Sequence, residues 1–181
     1  MIEDVVKFVI KNVIEMIVSS QETQEIGKSE VLYRKLSEVP KLNMRENYCI
    51  EVSKCIYPKL QYPSNSGELE KSFIEFCDTD ALVQSFCKIS ETKHSFLRFR
   101  YIRSDGIPAY YPDFIIKTEE KVFLVETKAT TNLQDENVIR KKVSARSTIQ
   151  RINTLDESLR DYREREYVLL GEERFYTYQR N

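Results

Sequence analysis

The chain has 181 residues, 41% of them hydrophobic and 31% charged, with a formal net charge of −1. That is one ordinary domain's worth of sequence, enough for a real core, and its near-zero charge excludes a global basic field for holding nucleic acid. Any DNA contact must come from a local patch, and unaided binding should be weak and salt-sensitive.

Residues 3–19 carry Val6, Val9, Ile10, Val13, Ile14 and Ile17 at helical spacing, which predicts an amphipathic helix. Lys7, Lys11, Asn12 and Glu15 interrupt its apolar run, so it cannot span a bilayer, and it lacks the layout of a signal peptide. The expected setting is cytoplasmic, with no membrane partner. Residues 19–28 are polar and read as a loop, and weaker helical patterns follow at 30–36 and 46–59. Tyr62-Pro-Ser-Asn-Ser-Gly67 punctuates the chain. It sets a boundary between a helical arm or linker, residues 1–62, and a second unit, residues 63–181.

In that second unit, residues 68–78 predict a helix with Ser66 as a cap ahead of it, and 79–88 a short helical or irregular piece. Residues 96–103, rich in aromatics, predict a strand ended by the turn signal Ser104-Asp-Gly-Ile-Pro108. Strands at 110–117 and 122–128 follow, joined by a turn at 118–121. Then come a long helix at 131–153, a charged connector at 156–166, and strands at 167–170 and 173–178. Helix, three meandering strands, helix, strand is the order of an α/β sandwich with a mixed sheet. Cys49, Cys55, Cys77 and Cys87 show no C-x-x-C spacing; they read as reduced, mostly packed thiols rather than a zinc site.

The chemistry concentrates in Tyr111-Pro-Asp-Phe-Ile-Ile-Lys117 and Val122-Phe-Leu-Val-Glu-Thr-Lys128. Side chains alternate along a strand, so Glu126 and Lys128 share a face with Val122 and Leu124. A buried face has no structural need for a carboxylate and an amine. If the register of the hairpin brings Asp113 beside Glu126, the two acids offer oxygen ligands to magnesium or manganese, with the Thr127 carbonyl as a third. Pro112 fits a strand edge or distortion, since it cannot donate to a ladder. Lys128 would orient an attacking water and neutralise charge in the transition state. A plain hairpin with a surface aspartate and an edge Glu–Lys pair would carry the same residues.

Two helices add to this. At about 100° per residue, Leu69, Phe73, Ile74, Phe76 and Cys77 form one apolar arc, with Glu70 inside it and Glu68 and Glu75 opposite. A buried acid is costly unless paired or liganded, so Glu70 either joins the site or pairs with a core arginine such as Arg98 or Arg100. On the later helix Val138, Ala145, Ile149 and Ile152 form the inward stripe, with Lys142 among them and Lys141 at the margin. With Arg103 and Arg146 these lysines form the candidate DNA-binding patch, although a lone lysine of this kind more often snorkels. Tyr101, Tyr110 and Tyr111 read mainly as core, and His94, the only histidine, as a loop or surface residue rather than a catalytic base.

Pro112-Asp113 followed by Glu126-Thr127-Lys128 resembles the motif of the PD-(D/E)xK nuclease superfamily. Further segments extend the resemblance to the C-terminal endonuclease region of the restriction subunit of type III restriction-modification enzymes. They are Ser66-Gly-Glu-Leu-Glu-Lys-Ser-Phe-Ile-Glu-Phe76, Phe86-Cys-Lys-Ile89, Tyr101-Ile-Arg-Ser-Asp-Gly106, Leu124-Val-Glu-Thr-Lys-Ala129 and Tyr167-Val-Leu-Leu-Gly-Glu172. The likeness covers residues 62 to about 176. It implies a restriction-endonuclease-like three-layer α/β/α core with a central mixed sheet and an N-terminal helical extension. It makes Asp113 and Glu126 metal ligands for Mg2+ or Mn2+, Lys128 the catalytic lysine and Glu70 the helix acid. The implied partners are double-stranded DNA, a helicase-like ATPase motor and a modification (methyltransferase) subunit, with a dimer on DNA for double-strand cleavage. The chain has no Gly-x-x-x-x-Gly-Lys-Ser/Thr loop, so no ATP site is expected here, and it reads as an excised domain or a truncated gene product. Relatives commonly have glycine after the lysine; Ala129 is a mild change. The competing expectations are a docking or DNA-binding module of the same fold without cleavage, and a stand-alone repair nuclease.

Overall fold

A computed structural model describes residues 12–13, 16, 34–64, 67–103 and 106–180. Of the predicted first helix, Asn12, Val13 and Met16 fall within that range and are helical. The rest of that helix, the loop at 19–28 and the Ser66 cap lie outside the described residues.

Along the chain the elements are β1 (Cys49–Glu51), β2 (Lys59–Gln61), α1 (Glu68–Thr79), β3 (Ser85–Lys88), β4 (Phe99–Arg100), β5 (Ala109–Tyr110), β6 (Phe114–Lys117), β7 (Lys121–Lys128), α2 (Glu136–Asn153), β8 (Glu164–Gly171) and α3 (Glu172–Gln179). The central sheet runs β3-β6-β7-β8. Its first two pairings are antiparallel and the third, β7 with β8, is parallel. Two small antiparallel ribbons, β1-β2 and β4-β5, complete the strands.

Strand β7 reads apolar on both faces, as a strand covered on both sides must. Val125 packs with Phe114 and Ile116 against Phe73, Ile74 and Cys77 of α1 and Phe175 of α3. On the opposite face, Leu124 and Tyr167 pack with Ala145 and Ile149 of α2 and with Phe99, Tyr101 and Tyr110 of the β4-β5 ribbon. The architecture is therefore mixed α/β, a central mixed sheet with helices on both faces. Among the described residues no helix is long and apolar enough to cross a membrane.

Several local expectations change. The first strand of the sheet is β3, inside the segment read as helical or irregular; four residues without a β-branched run give little strand signal. Of residues 96–103 only Phe99–Arg100 forms a strand, with an isolated bridge from Arg103 to Gly106, and its ribbon packs against the sheet rather than within it. The 110–117 strand is split at Tyr111, Pro112 and Asp113. Residues 46–59 form a 3-10 turn (Glu46–Tyr48) and the start of the β1-β2 hairpin instead of a helix, and the described part of 30–36 leads into another short turn, Leu36–Glu38. Helix α2 starts later than residue 131 because the Asp135 carboxylate caps the amides of Asn137 and Val138. Residues 173–178 are helical, not extended. Glu172 and Glu173 suit a helix N-terminus, and Phe175 lodges edge-on against Phe73 at 5.5 Å, so tertiary packing overrides the aromatic strand preference.

His94 is in a loop, as read, but it is fully buried rather than on the surface. The Ser90 amide donates to Nδ1 at 2.9 Å, which leaves the proton on Nε2 facing the Tyr57 hydroxyl at 3.0 Å. That hydroxyl donates in turn to the Val39 carbonyl at 2.7 Å. The chain of bonds ties residues 39–57 to the main sheet, where Tyr57 and Leu60 share one core with α1. Burial holds the imidazole pKa below its ordinary 6.5. The neutral ring thus stabilises the fold fully above pH 6.5, and that contribution is lost as pH falls below it, because the unfolded chain binds the proton first. His94→Ala is expected to cost roughly 2–4 kcal/mol in urea melts at neutral pH, and Tyr57→Phe roughly 1–2 kcal/mol. Coincident midpoints for wild type and His94→Ala would refute the role of this staple.

Candidate active site

The site begins where β6 and β7 part. Their ladder ends at Phe114 opposite Val125, so the next positions, Asp113 and Glu126, fall across from each other on the face that carries Ile115 and Leu124. Pro112, fully buried, has no amide to extend the ladder. Asp113 is held by both neighbouring strands. Its carbonyl accepts the Ile89 amide beside β3 at 2.7 Å, and its Oδ2 accepts the Thr127 amide at 2.7 Å and the Thr127 hydroxyl at 2.8 Å. Both of these carboxylate bonds go to Oδ2. Thr127, expected to offer its carbonyl, shows a second role as the residue that orients Asp113.

Glu126 is 3% exposed. Its Oε1 meets the Lys128 ammonium at 2.7 Å, while its Oε2 is buried without a hydrogen-bond partner. Burial, and after it the charge of Asp113, push the Glu126 pKa up to about 7, against the opposing pull of Lys128 and Lys141. Burial pulls the Lys128 pKa down, but Glu126, Asp113 and Glu70 outweigh it and hold the ammonium above its ordinary value. Asp113 and Lys128 thus act on Glu126, and Glu126, Asp113 and Glu70 all act on Lys128, the convergence that the sequence left to register.

Glu70 is half-buried on α1, and its partner is Lys88 at the end of β3, not Arg98 or Arg100, both of which are exposed. Lys88 also lies 5.7 Å from the Phe114 ring, which fixes it at the edge of the site. Both lysines of α2 are half-buried. Lys141 reaches over the rings of Tyr110 and Tyr101, at 5.2 and 5.9 Å, on the side of Glu126. Lys142 instead lines a cavity of about 650 Å³ with Thr130, Gln134, Gly171 and Arg174. Arg103 is exposed beside the short bridge to Gly106, and Arg146 is exposed near Tyr167. The expected DNA-binding residues are thus spread over the α2 side rather than gathered at one point.

Tyr101 and Tyr110 are buried core residues, as read. Sequence reasoning missed the neighbours that bound the site, Lys88 and Tyr167. The available signal was a tyrosine at an inward strand position, where a hydroxyl must be satisfied and a phenylalanine would pack as well. Among the described residues no group of three or more His, Cys, Asp or Glu side chains is placed to hold a metal. The donors are two carboxylates, one with a buried orphan oxygen. That fits a hard cation such as Mg2+, which takes one or two carboxylates and fills its remaining positions with water, carbonyl and substrate phosphate. No family model, no curated protein and no solved structure matches the chain.

Proposed function

We propose that this chain is a metal-dependent DNA endonuclease domain that hydrolyses phosphodiester bonds, the cleavage module of a type III restriction enzyme. One observation carries the reading: a buried glutamate at a strand fork has one oxygen on a lysine and the other without a partner, beside a second carboxylate already fixed in place. The segment-by-segment resemblance supports the family, and helices on both faces of a mixed sheet accord with a restriction-endonuclease-like core.

In this reading Asp113 and Glu126 hold Mg2+, for which Mn2+ substitutes, and the Thr127 carbonyl is available as a third ligand. When bound, the ion supplies Lewis acidity at the scissile phosphate and acidifies the attacking water. Lys128 orients that water and balances the charge that builds on phosphorus. Attack breaks the bond to the 3′ oxygen and leaves a 5′-phosphate and a 3′-hydroxyl. Glu70, held in place by Lys88, adds its own negative field at Lys128 and helps to keep it charged. Lys141 is the best-placed phosphate contact, with Lys142, Arg103 and Arg146 along the backbone path. A net charge of −1 makes unaided binding weak, which accords with delivery by a helicase motor and a modification subunit, and with pairing of two copies for a double-strand cut.

Calorimetric titration with Mn2+ and nicking of supercoiled plasmid test the proposal together. Wild type should take up the ion and nick, whereas Asp113→Asn should lose roughly 10²-fold or more of both ion affinity and nicking. DNA binding without Mn2+ uptake would favour the docking module instead.

A further inference from the structure

Among the described residues, the buried side-chain polar atoms that lack a hydrogen-bond partner are the Tyr110 hydroxyl, the Tyr167 hydroxyl and Glu126 Oε2. They belong to one neighbourhood. Tyr167 lies across from Leu124, two residues before Glu126 on the same strand and face, so the two are diagonal neighbours within a tyrosine's reach. The Tyr110 ring meets that of Tyr167 edge-on, with centroids 6.4 Å apart, and Lys141 covers its other side. Both tyrosines are more than nine-tenths buried. Native cores leave few such atoms unpaired. The two hydroxyls lie close enough to interact with each other and both feel the Glu126 charge, so as a pair they keep one proton to offer its free oxygen.

We propose that Tyr110 and Tyr167 are positioning residues for Glu126: their hydroxyls hold its carboxylate, directly or through a buried water, in the orientation that binds a divalent cation. The inference rests on the metal-site reading above. It accounts for tyrosine at two positions where phenylalanine would fill the same space, as Phe99 does alongside them in the same cluster. Burial pushes both hydroxyls above their ordinary pKa, so they remain donors at any working pH. Outer partners of this kind set the aim and basicity of a ligand without touching the ion.

The test uses the full chain with Tyr110→Phe, Tyr167→Phe and the double variant, titrated calorimetrically with Mn2+ and melted in the absence of metal. Each single change should weaken Mn2+ binding, and the double change by roughly 10–100-fold. The metal-free melt checks that each variant remains folded, so that lost affinity is read apart from lost stability. A hydroxyl with a purely structural role would lower the melting temperature and leave the affinity alone. That result, or equal Mn2+ affinity in wild type and the double variant, overturns the inference while leaving the metal site intact. A wild-type chain that takes up no Mn2+ overturns both.

Discussion

Lys128→Ala is expected to reduce plasmid nicking in Mn2+ by on the order of 10²–10³-fold and to leave the fold in place. The size follows from position. The ammonium is the only cation within hydrogen-bond distance of the buried Glu126 carboxylate among the described contacts, and three acids hold it charged. In the proposed mechanism, removing it takes away both the group that orients water and the charge that offsets developing negative charge on phosphorus. Breaking a buried ion pair commonly costs about 3–5 kcal/mol, but the cost here is smaller because Glu126, with a pKa already near 7, escapes by taking up a proton. Circular dichroism should therefore show a folded variant. Lys128→Arg keeps the charge but not the compact ammonium, and should recover little activity. Equal nicking by wild type and Lys128→Ala would remove this lysine from the mechanism.

Glu126→Gln should do two opposite things. Ion affinity should fall by about 10²-fold or more, because the buried charge that attracts the cation is gone. The metal-free protein should become more stable at neutral pH. The sign follows from linkage: Glu126 is raised from 4.5 to about 7 on folding, so the folded chain binds the proton more tightly than the unfolded one. Its stability is fully present below pH 4.5 and is lost as pH rises through about 7. The difference corresponds to at most about 3 kcal/mol, or several degrees of melting temperature in a chain of this size. Melts of both proteins in chelator from acid to neutral pH should show the variant's advantage growing across that window. The difference curve cancels the groups that titrate in the opposite sense, His94 and the lowered Asp78, Asp156 and Asp161. Added Mn2+ should then restore the wild type alone. A flat difference curve would mean that Glu126 is not the strained acid described above.

The parts of the site that depend on alternation within one strand were legible beforehand. Glu126 and Lys128 lie on one face because they are two apart, and Glu70 lies inside an apolar arc because a helix repeats at 3.6 residues. What joins strands was not. Nothing local in the segment around Asp113 dictates that the ladder stops at Phe114 opposite Val125, yet that register sets Asp113 against Glu126. Strand β3 was hidden because four residues on a sheet edge need no strong propensity when α1 packs over them. Phe175 misled in the other direction, with aromatic neighbours that suit a strand while the pocket beside Phe73 selected a helix. A wheel gives only an angle, so it placed Lys141 at the margin without showing the rings that it covers. The Tyr101 and Tyr110 rings, brought in by a ribbon distant in sequence, supply the surface over which Lys141 lies.

The double grip on Asp113 has a consequence for how the ion would enter. Its carbonyl belongs to β3 through Ile89 and its carboxylate to β7 through Thr127, so both its backbone and its rotamer are set when the sheet forms. Were Asp113 the ligand proposed, its conformational entropy would be spent during folding rather than on association, leaving a preorganised oxygen that need not wait for a loop to close. Capture at such a position is expected to be limited by dehydration of the cation and not by motion of the chain.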